Sequence, residues 1–231
     1  MRVLHELGAS VEGISLILSR PLLCRLSGFT TAAAPDAVAR HGQVRYEVVL
    51  QVVGDGPQIG WATPRFEGVK KRTNNGTGDD AHSWGVDGAR QKAWHKGEGA
   101  ETYDVKWASG DVIGVAADLD ARTLSFAKNG VWIEVFTECD FGDEGIFPSI
   151  SLQDGECEVN LGSSPFKFPG PSDKYQPVGP EVRALERYRG ERSAFIGNFK
   201  VTSFSENVNV RRCDGTVTTT PNLHLTCKIL F

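Results

Sequence analysis

Gly60-Trp61-Ala62-Thr63-Pro64, Gly78-Asp79-Asp80-Ala81-His82-Ser83-Trp84-Gly85, Trp107-Ala108-Ser109-Gly110-Asp111-Val112-Ile113-Gly114 and Leu124-Ser125-Phe126-Ala127-Lys128-Asn129-Gly130 punctuate the stretch from Gly60 to Phe136. Tryptophans and glycines stand there at the joints of short alternating segments. Asn129-Gly130 predicts a two-residue hairpin turn, because both central residues of a type I′ turn need positive φ and these two tolerate it. Asp118-Leu119-Asp120-Ala121-Arg122 supplies the preceding turn. Working outward, Val44, Tyr46, Val48, Leu50 and Val52 alternate along a half-buried strand that breaks at Gly54-Asp55-Gly56-Pro57, and Gln58 to Thr63 forms its hairpin partner. Strands recur at Ser83 to Val86, Gln91 to His95, Val112 to Asp118, Thr123 to Lys128, Val131 to Phe136, Ile146 to Leu152 and Cys157 to Leu161. Short, regularly spaced strands without a helical period predict an all-β, antiparallel two-sheet sandwich.

The chain has 231 residues with 26 glycines, about 11% where about 7% is usual, so many tight turns are expected. Three parts are expected: a poorly defined lead-in over residues 1–41, the β-sandwich over 42–168, and an extension over 169–231. Prolines 165, 169, 171, 177 and 180 mark the end of the sandwich and a linker. Glu181 to Arg192, with Arg183, Arg187, Arg189 and Arg192 set among glutamates, reads as a short helix. Phe195 to Phe231 returns to strand-like alternation, and the apolar ending Ile229-Leu230-Phe231 suggests a piece of something larger.

The formal net charge is −4, which gives no reason to expect nucleic acid or an anionic membrane as partner. Ten basic residues against six acidic ones follow Gly162, so the body is acidic and the tail basic. Cys24, Cys139, Cys157, Cys213 and Cys227 show neither Cys-x-x-Cys pairing nor regular spacing, which argues against a disulfide framework and a zinc site. A reducing, cytoplasmic home follows, and the apolar run Ile14 to Leu18 is too short to span a membrane. Asn75-Gly76-Thr77 spells a glycosylation acceptor but reads as a turn.

No cofactor, metal or catalytic set is expected. His82 with Asp79 and Asp80 is the best titratable cluster, yet it matches no metal-ligand spacing, and the aspartates read as acceptors for loop amides. Trp61, Trp84 and Trp107 at strand ends read as core. Trp94 differs, because Arg90, Gln91, Lys92 and His95 surround it. A packing role and an anchoring role in recognition are both open to it.

These landmarks carry a family resemblance over residues 42 to 162. The Gly60-Trp61 step, the Asp80 to Trp84 run, Gly110-Asp111-Val112-Ile113-Gly114, Asp118-Leu119-Asp120, Leu124-Ser125-Phe126 with Asn129-Gly130, and Phe147-Pro148-Ser149-Ile150 stand in the order found in SPRY domains. That family is a concanavalin-like bent sandwich used for protein recognition. Asp79 to His95 is similar to SPRY domains of ryanodine receptors and of some large ubiquitin ligases. It also resembles those of ubiquitin-ligase adaptors with a SOCS box, where the aromatic residue before the histidine contacts a short peptide. The resemblance implies that role for Trp94, and for Gln153-Asp154-Gly155 as the turn lining the same site.

This chain departs from the adaptors at Asp154, where they have an aromatic residue, and around Ala34-Pro35, where their arginine and proline contacts find no match. No SOCS-box pattern follows Pro180. The expected partner-binding residues are Pro64, Arg65, Phe66, Lys71 and Arg72 from the first long loop, with Arg90, Trp94, Gln153, Asp154 and Gly155. The resemblance thus implies a module without catalysis that recognises a short peptide or loop on a protein of unknown identity, for substrate or scaffold recognition in an assembly such as a ubiquitin ligase. The other readings are a lectin-like sandwich, with Trp94 stacking on a sugar, and a structural spacer.

Overall fold

The computed structural model describes residues 9–12, 15–18, 21–66, 68, 75–182, 185–189, 191–196, 200–204, 207–211 and 217–221. The strands are β1 (Ala9–Glu12), β2 (Ser15–Leu18), β3 (Leu22–Ala33), β4 (Gln43–Val52), β5 (Asp55–Ala62), β6 (Ser83–Asp87), β7 (Lys92–His95), β8 (Glu98–Ala100) and β9 (Val112–Asp118). They continue with β10 (Thr123–Lys128), β11 (Val131–Phe136), β12 (Phe147–Asn160), β13 (Gln176–Pro177), β14 (Leu185–Arg189), β15 (Glu191–Ile196), β16 (Lys200–Phe204), β17 (Asn207–Arg211) and β18 (Val217–Pro221). One 3-10 turn, Pro35–Ala37, is the only helical element among the described residues. No helix among them is long and apolar enough to cross a membrane.

Thirteen of the described strands form one curled, almost wholly antiparallel sheet whose main path runs β11-β10-β9-β4-β12-β5-β6-β7-β8. The curl makes the bent sandwich that the strand spacing predicts, and β12 is its spine. One edge of β12 pairs with β3 from Ser149 to Val159, while the other pairs first with β5 and then with β4. Asn129 and Gly130 take φ of +50° and +84° in the turn joining β10 to β11, as expected.

The core lies inside the curl. Trp61, Trp84 and Trp107 are all buried there, as the sequence predicts, each contributing a few kcal/mol by leaving water. Tyr46 packs edge-on against Trp61 at 5.0 Å and donates its hydroxyl proton to the Gly60 carbonyl. Burial raises the Tyr46 pKa well above the ordinary phenol value.

The sheet also recruits residues outside 42–168. β3 spans Leu22 to Ala33 within the stretch read as lead-in. Where a short helix is expected from Glu181 to Arg192, the described residues from Leu185 onward are strand: β14 pairs with Thr31 to Ala33 of β3, and β15 pairs with β14. An unpaired edge of β3 satisfies this backbone with ladder bonds, which outweighs the weak helix preference of its charge spacing. The proline-rich stretch is fastened to the sheet as well. Buried Glu47 accepts the N–H groups of Lys167 (2.7 Å) and Phe168 (3.0 Å), and the Trp132 indole donates to the Pro169 carbonyl at 3.0 Å.

Candidate recognition rim

Strand period two decides what β7 presents. Ala93 and His95 turn inward, where Ala93 is buried and the His95 ring stacks on Trp84 at 4.7 Å. His95 Nδ1 donates to the Ser83 carbonyl at 2.8 Å, and burial lowers its pKa below the ordinary histidine value. Trp94 turns to the other face and is half-buried. Its backbone lies directly under Gly78, where a Cβ would stand 2.6 Å from the Trp94 Cβ. The guanidinium carbon of Arg90 sits 4.2 Å over the indole centroid.

Arg90 is aimed by the Asp87-Gly88 turn. The fully buried Asp87 carboxylate accepts the backbone N–H groups of Ala89 (2.7 Å) and Arg90 (2.9 Å) through Oδ1 and the Arg90 Nε–H through Oδ2. A guanidinium held on one edge by a buried carboxylate loses little further entropy when a ligand meets its other edge.

Phe29 links this pair to the Gln153 turn. A Cβ at Gly56 would stand 3.8 Å from Phe29 Cε2 and 3.9 Å from Arg90 Nη2, so both side chains meet at that glycine. Phe29 of β3 is in register with Gln153, which is in register with Asp55 of β5 on its other side. Asp154, at φ +52° in the bulge between Gln153 and Gly155, is exposed and accepts the Gly28 N–H at 2.8 Å. Gly155 is buried beneath it. Arg90, Trp94, Gln153, Asp154 and Gly155 therefore belong to one neighbourhood with Phe29 at its centre. Two buried polar atoms here, Trp94 Nε1 and Gln58 Oε1, have no hydrogen-bond partner among the described residues.

The described start of the first loop, Pro64 to Phe66, does not join them. Arg65 is exposed and pairs with Glu144 at 2.9 Å, lining a cleft on the His95 side of β7, and exposed Pro64 precedes it. Phe66, expected as a contact, is buried against Ala33, Ala62 and Phe147. Its ring belongs to a small satellite core and is not presented to a partner. Lys71 and Arg72 lie outside the described residues.

Asp79 and Asp80 act as the sequence suggests. Asp79 accepts from Gln58 Nε2 (2.8 Å) and the Gly76 N–H (2.7 Å), and Asp80 from the His82 N–H (3.0 Å) and the Ser83 hydroxyl (2.6 Å). Sequence reasoning missed Phe29 and Gln58. The alternation of Leu22, Cys24 and Leu26 was the available sign that a strand leads to Phe29.

Comparison with known proteins agrees with this architecture. The SPRY domain model matches residues 43–164. The chain is 36% identical over 173 residues, 73% of its length, to the E3 ubiquitin-protein ligase RKP of Arabidopsis thaliana. It is 35% identical over 100 residues, 42% of its length, to the probable ATP-dependent RNA helicase ddx1 of Dictyostelium discoideum. It is 30% identical over 122 residues, 51% of its length, to the Ran-binding proteins 9/10 homolog of Drosophila melanogaster. The matched regions span only 13%, 12% and 12% of those three proteins.

Proposed function

The chain belongs to the SPRY domain family, whose members generally serve as protein-interaction modules, and on that premise we propose that it recognises a short peptide or loop of a partner protein through the rim around Arg90, Trp94, Phe29, Gln153 and Asp154. It performs no chemistry of its own. The observation that carries this reading is the Arg90 guanidinium stacked on a half-buried indole and anchored by a buried carboxylate. Aromatic and arginine side chains held in place by a scaffold are the usual anchors of protein interfaces.

Affinity comes from that anchor and a few hydrogen bonds, with little ordering cost because the rim side chains spring from a continuous sheet. A dissociation constant near micromolar, about −8 kcal/mol, suits such a site. An acidic Asp154 and a cationic Arg90 on the same rim favour a ligand that carries both a donor and an acceptor. The similarity to a ubiquitin ligase supports substrate or scaffold recognition within a larger ligase assembly. Among the described residues Cys24, Cys139 and Cys157 are buried free thiols, with Cys24 and Cys157 in direct register, which suits a reducing cytoplasmic home.

A photo-crosslinking residue placed at Gln153 tests the reading. It should capture a protein partner in cells, whereas the same residue at exposed Arg122 should not. Equal capture at both positions would count against the rim.

A further inference from the structure

The curled sheet does not close. Its main path starts at β11 and ends at β8, and among the described residues neither terminal strand has a neighbour on its outer side. Both ends line one cleft of about 630 Å³, with Val135 and Phe136 from β11 and Ala100 from β8. β8 is exposed along its length, and β11 leaves Val131 71% and Ile133 38% exposed.

The floor of this seam is aromatic. Trp84 carries the His95 ring at 4.7 Å on one side and Phe141 edge-on at 5.4 Å. Its wall is acidic, with Glu138, Asp140 and Glu144 on the segment after β11. From Val131 to Ile146 there are five acidic residues and no basic one. Arg65 and Lys96 are the cations at the cleft, and Arg65 is engaged with Glu144.

We propose that this seam is a second recognition site, separate from the Trp94 rim, which takes an extended basic segment of a partner protein as an added strand on β11. An unpaired edge exposes a row of N–H and C=O groups, and proteins that do not use such an edge commonly blunt it with lysine or proline. β11, Val-Trp-Ile-Glu-Val-Phe, has neither. Ladder bonds along Val131 to Glu134 would hold the added backbone, with alternate apolar side chains beside Val131 and Ile133. Beyond Glu134 the register shifts by a bulge before Phe136 pairs again with Leu124, and Val135 and Phe136 of this last part of β11 line the cleft. A lysine or arginine of the added strand would there meet Glu138 and Asp140 above an aromatic floor, a setting that favours cations on both counts. The rim plays no part in this site, so either one stands if the other fails.

The test is selection of a displayed library of random peptides on the full chain. Enriched sequences should alternate apolar residues and carry lysine or arginine. Glu138→Lys combined with Asp140→Lys, and separately Val131→Lys, should each weaken their binding by about tenfold or more. All three positions are exposed, so the variants should keep the fold, and Trp94→Ala should leave this binding unchanged. Failure to enrich any peptide, or binding that survives both the double variant and Val131→Lys, would overturn the proposal. Sedimentation gives an independent check: a dimer of the wild type abolished by Val131→Lys would make a second copy the occupant and would equally overturn a partner strand.

Discussion

The Arg90 guanidinium lies 4.2 Å over the Trp94 indole while the buried Asp87 carboxylate holds its Nε–H. This makes Arg90 the hinge between a structural carboxylate and a half-buried aromatic. Arg90→Lys should therefore not act as a conservative change, because an ammonium can neither lie flat on the ring nor match the carboxylate edge. A buried acceptor losing its partner costs about 1–3 kcal/mol, and the low end applies because Arg90 itself is open to water. Urea denaturation should show this loss, and an unchanged midpoint would deny Asp87 its anchoring role.

Trp94→Ala should weaken partner binding by more than about 2 kcal/mol while circular dichroism stays that of the parent. Trp84→Ala, by contrast, should unfold the chain, since that ring is buried in the core. Comparable loss of structure in both variants would place Trp94 in the scaffold.

Gly78 has φ +102°, and its missing side chain leaves room for the Trp94 backbone. Gly78→Ala combines a strained conformation with a contact of 2.6 Å, so either the loop or β7 must shift. Partner binding should fall together with thermal stability, even though Gly78 itself is buried beneath the rim.

The Asp111 carboxylate ties the hairpin turn to the loop before β9. Burial pushes its pKa up, but Lys128 at 3.0 Å, the Ala108 N–H at 2.7 Å and the Asn129 amide at 2.8 Å together hold it below the ordinary aspartate value. A carboxylate depressed in the folded state stabilises above the unfolded pKa, about 3.9, and that contribution disappears as pH falls through the folded value. Asp111→Asn should lower the melting temperature at pH 7, and the gap to wild type should narrow below about pH 4. A gap independent of pH would mean that the charge is irrelevant.

Much of this architecture is written locally. The Asn129-Gly130 turn, the strands β4 to β7 and β9 to β11, the two halves of β12 and the burial of Trp61, Trp84 and Trp107 follow from period and turn chemistry within a few residues, whereas β8 and the joining of β12 into one strand do not. Other features depend on contacts distant in sequence. Phe29 enters the rim because β3 pairs with β12 more than a hundred residues away, and a local pattern carries no such information. Likewise, glutamates and arginines spaced as on a helix became β14 and β15 once β3 offered an edge. Arg65 and Phe66 are neighbours in the chain, yet Glu144 draws one into the cleft while Phe147 and Ala33 bury the other.

Recognition of partner proteins at the Trp94 rim is the proposal on which the function rests. Its most direct test is affinity capture from cell extract, followed by quantitative mass spectrometry, using wild type beside a Trp94→Ala, Gln153→Ala variant of unchanged melting temperature. A protein retained by wild type and lost from the variant is the expected result. The same proteins retained in equal amount by both would contradict it.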